Sequence, residues 1–423
     1  MATLLVCNTI AILLWTVISK RLRRWHISGA VAMVLCGTIT GFFLRDEISE
    51  HLNTSLAEHI VELILAVLLF VDATEVRGGF LAGERSIVTR LLVFALPLSL
   101  ILTGAVAIPL LGMPVFSTAS IALVLVLACI VLPVDFAPSP EMMRDRLVPR
   151  RLRHGLAVES GYNDGIFSPI FAFALLLLGA SNDGEVLAPI EALEHAVPAA
   201  GWAVLVGVGV GGFMGAAVRL ALARDWVDAH GVRVAMLLMP FVTYECTVAL
   251  NGNGFVATFL AGIAYKLLRT WSGGDDHDVP HAELALVDDL GAVASLFMWF
   301  IVGSVTALIF TMPASWPWIL FALLALTVLR MVPVYIAFIG SRVSLRERTT
   351  LGFIGPRGTS SIVFGLLAFN ALNDDDANAA IYVTVITVLG SIILHGWLGP
   401  RVLRALRPGG VGAAGAEPAR ETT

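Results

Sequence analysis

The chain reads as an all-α polytopic membrane protein of about thirteen transmembrane helices, and three observations predict it. Of its 423 residues 57% are hydrophobic and 14% charged, whereas an ordinary soluble domain carries about 25% charged residues. Mean hydropathy is +0.86. Apolar runs of about 20 residues, long enough to cross a hydrocarbon core of about 30 Å, recur along the whole chain, and Lys and Arg fall in alternate connections between them. The runs leave no room for a soluble domain.

The first run, 2–19, follows the initiator Met with no basic segment before it, and Lys20-Arg21-Leu22-Arg23-Arg24 comes after it. It therefore reads as a retained helix and not a cleaved signal peptide. The second and third runs are 27–44 and 57–73, the third carrying Glu62 and Asp72. The fourth, 87–111, is apolar, and the fifth, 117–137, ends in Leu132-Pro133-Val134-Asp135-Phe136-Ala137-Pro138-Ser139-Pro140. Prolines remove backbone donors and oppose a continuous helix, so this span is expected to break near Asp135. The plainer reading ends the helix at the cytoplasmic surface.

The sixth run, 155–179, opens on Glu159-Ser160-Gly161-Tyr162-Asn163-Asp164-Gly165. In the seventh, 196–221, Gly207, Gly209 and Gly212 have a dinucleotide-type spacing but no strand before them. Small residues that let helices approach closely are the better account. Runs eight to eleven are 232–250 with Glu245, 253–268, 284–310, and 315–339 with Arg330. The twelfth, 350–370, is interrupted at Gly352-Phe353-Ile354-Gly355-Pro356-Arg357-Gly358, and the thirteenth, 378–399, carries His395, read as a satisfied buried histidine. From 401 to 423 a short disordered cytoplasmic tail is expected.

Orientation follows from the basic residues, which stay on the cytoplasmic side in short loops. The connections after odd-numbered runs, with the tail, hold all of the 27 Lys and Arg except Arg45, Arg330 and Arg357. The opposite connections are acidic, as in Asp183, Glu185, Glu191, Glu194 and Asp374-Asp375-Asp376. The N-terminus is thus predicted outside and the C-terminus inside. Arg330 and Arg357 fall within membrane segments and need partners, since an unpaired buried charge is costly.

Other chemistries find little support. Cys7, Cys36, Cys129 and Cys246 are scattered singly, with neither metal spacing nor a disulfide framework. No metalloprotease helix, nucleophile elbow or phosphate-binding loop occurs, so the chain is not expected to be an enzyme, to need a cofactor or to bind nucleic acid. The loop Asp275-Asp276-His277-Asp278 with His281 reads as solvated before it reads as a pH sensor or metal site.

Ionisable residues within membrane segments are expensive and point to transport. On a helical wheel of about 100° per residue, Glu159, Ser160, Asn163 and Asp164 share one polar arc while Tyr162 points away. Ser160 and Asp164, one turn apart, present a hydroxyl and a carboxylate to a single ion. Hard oxygen ligands suit a hard cation, and a carboxylate in a dry cavity also takes up protons readily. One carboxylate then holds Na⁺ or H⁺, never both. The bland alternative leaves these acids at a helix end in the headgroup region. The interruptions of the fifth and twelfth runs lie seven spans apart, which reverses topology, so spans 1–6 and 8–13 are expected to be inverted six-helix repeats with two crossing broken helices.

Several stretches resemble the bacterial monovalent cation/proton antiporters of the sodium/proton exchanger type. They are Leu69-Phe70-Val71-Asp72-Ala73, Pro133-Val134-Asp135, Val148-Pro149, Val158-Glu159-Ser160-Gly161-Tyr162-Asn163-Asp164-Gly165, Gly252-Asn253-Gly254-Phe255 with Ala261-Gly262, Arg330-Met331-Val332-Pro333 and Gly355-Pro356-Arg357-Gly358. They follow the family order over nearly the whole chain. The resemblance implies that Asp164 is the essential ion-binding acid and Asp135 the acid of the broken fifth helix. Ser160 and the Val134 carbonyl would be further cation ligands, with Asn163 beside Asp164. It implies a structural pair between Glu159 and Arg330 and charge compensation by Arg357 at the helix crossing. Apart from the resemblance, Glu245 reads either as lining a cation path or as a helix-packing hydrogen bonder, and Asp72, with Glu75 at the end of the third run, either as part of a cation path or as a solvated helix end.

The resemblance further implies one transmembrane antiporter domain over residues 1–400, divided into a core (about 83–181 and 311–400) and a scaffold that dimerises (about 1–82 and 182–310). The activity implied is electroneutral exchange of Na⁺ or Li⁺ for H⁺ across a bacterial inner membrane by a homodimer. A K⁺/H⁺ exchanger is the nearer alternative and a non-transporting membrane sensor the remoter one. The family often has Thr-Asp-Pro where this chain has Val134-Asp135-Phe136, a departure that spares a backbone carbonyl but bears on cation selectivity.

Overall fold

Hydrocarbon offers the backbone no hydrogen-bond partner, so a segment that crosses it must satisfy its own N–H and C=O groups. In the computed structural model the regular structure among the described residues is accordingly helical. The helices are α1 (Ala2–Arg24), α2 (Gly29–Phe43), α3 (Ser55–Glu75), α4 (Arg85–Leu110), α5 (Thr118–Val131), α6 (Arg150–Leu177) and α7 (Pro189–Ala223). Then follow α8 (Ala229–Ala249), α9 (Gly254–Arg269), α10 (His281–Ile309), α11 (Trp316–Ala337), α12 (Leu345–Phe353), α13 (Thr359–Ala371) and α14 (Asp374–Ser391, continuing to Ala405). The structure describes residues 2–25, 27–45, 47–48, 54–75, 84–136, 138, 142–143, 148–179, 186–271, 279–310 and 315–405. Arg77, Pro140, Arg144, Arg146, Asp183, Glu185, the Asp275–Asp278 loop, Arg407 and Arg420 lie outside them.

Among the described residues seven helices are long and apolar enough to span a membrane: α1, α4, α7, α8, α10, α11 and α14. The apolar helices α2, α5 and α13 are shorter. Glu159 and Asp164 in α6, and Glu58, Glu62 and Asp72 in α3, dilute the apolar character of those segments.

The helices depart from the predicted spans at particular residues. α5 stops at Val131, six residues short of the predicted end, because Pro133 has no N–H to continue the ladder. The twelfth span divides into α12 and α13 around a non-helical stretch, Ile354–Gly358. α11 is also interrupted, at Thr327, which no breaker in the sequence announces. Its φ and ψ are −127° and −86°, and its hydroxyl donates to the Leu323 carbonyl at 2.7 Å, competing with the helical ladder. The backbone widens into π turns at Arg90–Ala95, just before Pro97, and at Ile392–Leu398. α14 continues helically through Gly399–Ala405, five residues into the segment expected to be a disordered tail.

Two helices are buried on nearly every side. From Ala122 to Val131 almost every residue of α5 is buried, as is every residue of α13 from Thr359 to Ala368. Helices apolar all round belong in an interior. One packed set joins α2 to α10, α7 to α9, α9 to α3 and α8 to α10; a second joins α4, α5, α6 and α11–α14. The sets meet where α3, α9 and α10 lie against α6 and α13.

Glycines set how closely the first set packs. A Cβ on Gly207 or Gly211 would strike the carbonyl of Ala257 or Ala261 in α9, and one on Gly215 the carbonyl of Tyr265. The contact therefore repeats every four residues, a small-residue stripe of the membrane type. Gly209, part of the spacing noted in the sequence, faces open space. Gly211→Leu is expected to lower the thermal unfolding midpoint of the detergent-solubilised protein, in line with overpacking costs of about 1–3 kcal/mol. Gly209→Leu should leave it near wild type, and equal losses at both positions would contradict the packing described.

Candidate cation site

The site is built where two stretches of non-helical backbone meet. After α5, residues 133–136 are non-helical, and Ile354–Gly358 separates α12 from α13. The stretches bond to each other: the Asp135 N–H donates to the Pro356 carbonyl at 2.9 Å. The Asp135 carboxylate in turn accepts the Thr359 N–H at 2.6 Å, satisfying a backbone donor at the start of α13. A Cβ at Gly358 would collide with that carboxylate, which explains the glycine.

Asp164 and Asn163 lie on α6, 3% and 2% exposed. The Ser360 hydroxyl, one residue after Thr359, donates a hydrogen bond to Asp164 Oδ2. Asp164 Oδ1 and Asn163 Nδ2 are buried without a hydrogen-bond partner. Ser160, one turn before Asp164, donates to the Val134 carbonyl at 2.9 Å. The first two residues of α13 thus hold both carboxylates, and Ser160 ties α6 to the non-helical segment after α5. Hydroxyl and carbonyl oxygens keep lone pairs after donating or accepting once, so the cluster offers oxygen ligands only.

Among the described residues no group of three or more His, Cys, Asp or Glu is placed to hold a metal. Carboxylate, hydroxyl and carbonyl oxygens suit a hard cation better than a soft one.

Glu159 and Arg330 form a buried bidentate pair, Nη1 to Oε1 at 2.8 Å and Nη2 to Oε2 at 3.0 Å. Arg330 also donates to the carbonyls of Leu351 and Ile354 at 3.3 and 3.1 Å, at the buried C-terminal end of α12. Gly355 lies against the guanidinium, where a Cβ would clash. Arg330 reaches this place from the first turn after the Thr327 interruption.

Arg357 is fully buried and bonds to main-chain carbonyls, Val131 at 2.5 Å, Gly355 at 2.6 Å and Ala325 at 3.5 Å. These lie at or near ends of α5, α12 and the first part of α11. Helix C-termini carry partial negative charge, and a guanidinium stabilises them. The Arg357 N–H donates to Ser391 Oγ at 2.7 Å, and His395 bonds to Ser391 and to the Phe353 carbonyl, so His395 is satisfied within the crossing.

Asp72 and Glu245 are not brought together. Glu245 is half exposed and bonds to His59 at 3.0 Å, beside Glu62. Asp72 lies about 20 Å further along α3 at about 1.5 Å per residue. Ser360 and the Thr359 N–H do not stand out in the sequence. The signal available is three consecutive hydroxyl residues, Thr359-Ser360-Ser361, directly after the Gly-Pro-Arg-Gly interruption.

Removing one partner of a buried ion pair costs about 3–5 kcal/mol. Glu159→Ala and Arg330→Ala are each expected to lower the unfolding midpoint strongly, with the double variant losing less than the sum. Additive losses in a thermal-unfolding series would show that the two do not act as a pair.

A family model described as sodium/hydrogen exchanger, transmembrane, matches residues 9–405. Among solved structures, the chain is similar to the sodium proton antiporter MjNhaP1 from Methanocaldococcus jannaschii at pH 8, with TM-score 0.72 and 19% identity. That match covers 96% of this chain and 99% of the other. An electron-microscopy structure of the same antiporter matches with TM-score 0.68 and 20% identity over 96% and 98% of the two chains. Likeness at this identity speaks for a shared fold, and the family match extends over nearly all of the chain. The chain belongs to the sodium/hydrogen exchanger family, a family of multi-pass membrane transporters and not of enzymes.

Proposed function

We propose that this chain exchanges Na⁺ or Li⁺ for H⁺ across a bacterial inner membrane, one for one, by competition of the two ions for Asp164 and Asp135. The observation that carries the proposal is the buried Asp164, one carboxylate oxygen bonded to Ser360 and the other unpartnered, at the crossing that Asp135 closes. Ser160, the Val134 carbonyl and Ser360 supply further oxygens, and Asn163 flanks the acid. A proton on Asp164 removes the charge that holds the cation, and a bound cation displaces the proton.

Electroneutral exchange is supported by the Glu159–Arg330 pair, whose two charge-assisted hydrogen bonds commit Glu159 to Arg330 and leave Asp164 as the buried carboxylate with an unpartnered oxygen. The helices around the site, α4–α6 and α11–α14, form the core. It moves against a scaffold of α1–α3 and α7–α10, which carries the homodimer contact, and so opens the site to each side in turn. Thirteen crossings in inverted repeats put the N-terminus outside and the C-terminus in the cytoplasm, consistent with the sorting of Lys and Arg. Asp72 and Glu245 guide cations at opposite ends of α3.

Proteoliposomes loaded with a pH-sensitive dye test this reading. Na⁺ or Li⁺ is expected to drive proton flux, with Asp164→Asn at background and Ser360→Ala raising the apparent KM for Na⁺ severalfold. The apparent KM should rise as pH falls, because protons occupy the same carboxylate. Clamping the membrane potential should leave the rate unchanged if exchange is one for one. Flux with K⁺ and not Na⁺ would make the chain a K⁺/H⁺ exchanger. Wild-type flux that survives Asp164→Asn would remove the site assignment, and no cation-dependent flux at all would favour a sensor.

A further inference from the structure

A cavity of about 760 Å³ opens between α4 and α11, and its lining changes character along α4. One end is polar, with Arg85, Ser86, Thr89 and Arg90. The wall that follows is apolar and exposed, formed by Val93, Phe94 and Ile101 of α4 and Ile336 of α11. We propose that this cavity binds one anionic phospholipid, its headgroup phosphate on Arg85 and Arg90 and an acyl chain along the apolar wall.

An apolar wall alone is ordinary contact with lipid, so the headgroup end carries the distinction. Arg90 donates through Nη1 to the carbonyls of Ala337 and Ile339, at the end of α11, at 2.5 and 3.2 Å. Those bonds hold its guanidinium at the rim. Arg85 is exposed and has no ion pair among the described residues. Two guanidiniums against the single carboxylate of neighbouring Glu84 leave the rim positive. Guanidinium groups match phosphate oxygens through paired hydrogen bonds, and Ser86 and Thr89 add hydroxyl donors.

The dimensions suit a lipid. From Arg85 to Ile101 the helix rises about 24 Å at about 1.5 Å per residue, enough for a headgroup and a chain in one leaflet of a core about 30 Å thick. The π turn at Arg90–Ala95 lies at the junction of polar rim and apolar wall, and such insertions recur at functional sites. A free anion would have no use for the wall, and a neutral headgroup would have little use for the two arginines. Ile336 and Ala337 belong to the helix that carries Arg330, so a lipid here would brace α11 against α4.

The test uses the purified full-length chain in neutral detergent, with bound lipid counted by native mass spectrometry. Dioleoyl phosphatidylglycerol, dioleoyl phosphatidylcholine and inorganic phosphate are added in turn. The wild type is expected to retain phosphatidylglycerol in preference to phosphatidylcholine, and phosphate should not compete. One basic residue near an anionic surface contributes about 1 kcal/mol, about fivefold in affinity. Arg85→Gln should therefore weaken phosphatidylglycerol about fivefold and phosphatidylcholine little. Val93→Trp, which fills the wall, should remove the tightly held lipid. Equal retention of the two lipids, displacement by phosphate alone, or an unchanged preference in Arg85→Gln would each overturn the proposal. Arg85 is an exposed side chain, so that variant decides the matter even if Val93→Trp fails to fold.

Discussion

The backbone contact between Asp135 and Pro356 is the constraint on which the rest of this architecture depends. Two stretches without helical hydrogen bonds lie among buried helices, and each unsatisfied polar group there costs several kcal/mol. They solve the problem jointly. The Asp135 N–H takes the Pro356 carbonyl, the Asp135 carboxylate takes the Thr359 N–H, and Arg357 gathers carbonyls left over from α5, α11 and the stretch before α13. The proline and glycine residues that break the helices also let the two stretches approach. Gly358 leaves room for the Asp135 carboxylate and Gly355 for the Arg330 guanidinium.

That solution sorts the buried charges into two kinds. Arg357, Arg330 and Glu159 are committed: Glu159 accepts two hydrogen bonds from Arg330, which also bonds to two carbonyls, and Arg357 bonds to three. Asp164 is less committed, with one hydroxyl on one oxygen. A carboxylate held in place yet short of partners is what an exchangeable ligand requires, since a fully satisfied one would gain little from binding an ion. The Glu159–Arg330 pair and Asp164 share one helix, so α6 joins the committed charges to the uncommitted one.

Much of this is legible in the residues because lipid removes ambiguity. An acid such as Asp164 or Asp135 stands out in an apolar run, and an arginine such as Arg330 in the same setting demands a partner. That the partner is Glu159 is not deducible from spacing, because the two lie 171 residues apart and only the fold brings them together. The interruption at Thr327 is hidden, since a threonine in a helix is common and its bond back to Leu323 depends on local backbone geometry. Ser360 is hidden for a similar reason, as a hydroxyl near a helix start usually reads as a cap. In α7 the glycine spacing is visible but its meaning is not. Gly207, Gly211 and Gly215 face α9, whereas Gly209 faces outward, and only the position of the neighbouring helix separates them.

The central claim is that cation and proton exclude each other at Asp164, and proton release on cation binding tests it most directly. Adding NaCl to the purified protein in weakly buffered detergent should acidify the solution by about one proton per bound Na⁺, with choline chloride giving no signal. The same addition to Asp164→Asn should release none. Sodium binding with no proton release, or release undiminished in the variant, would contradict the account.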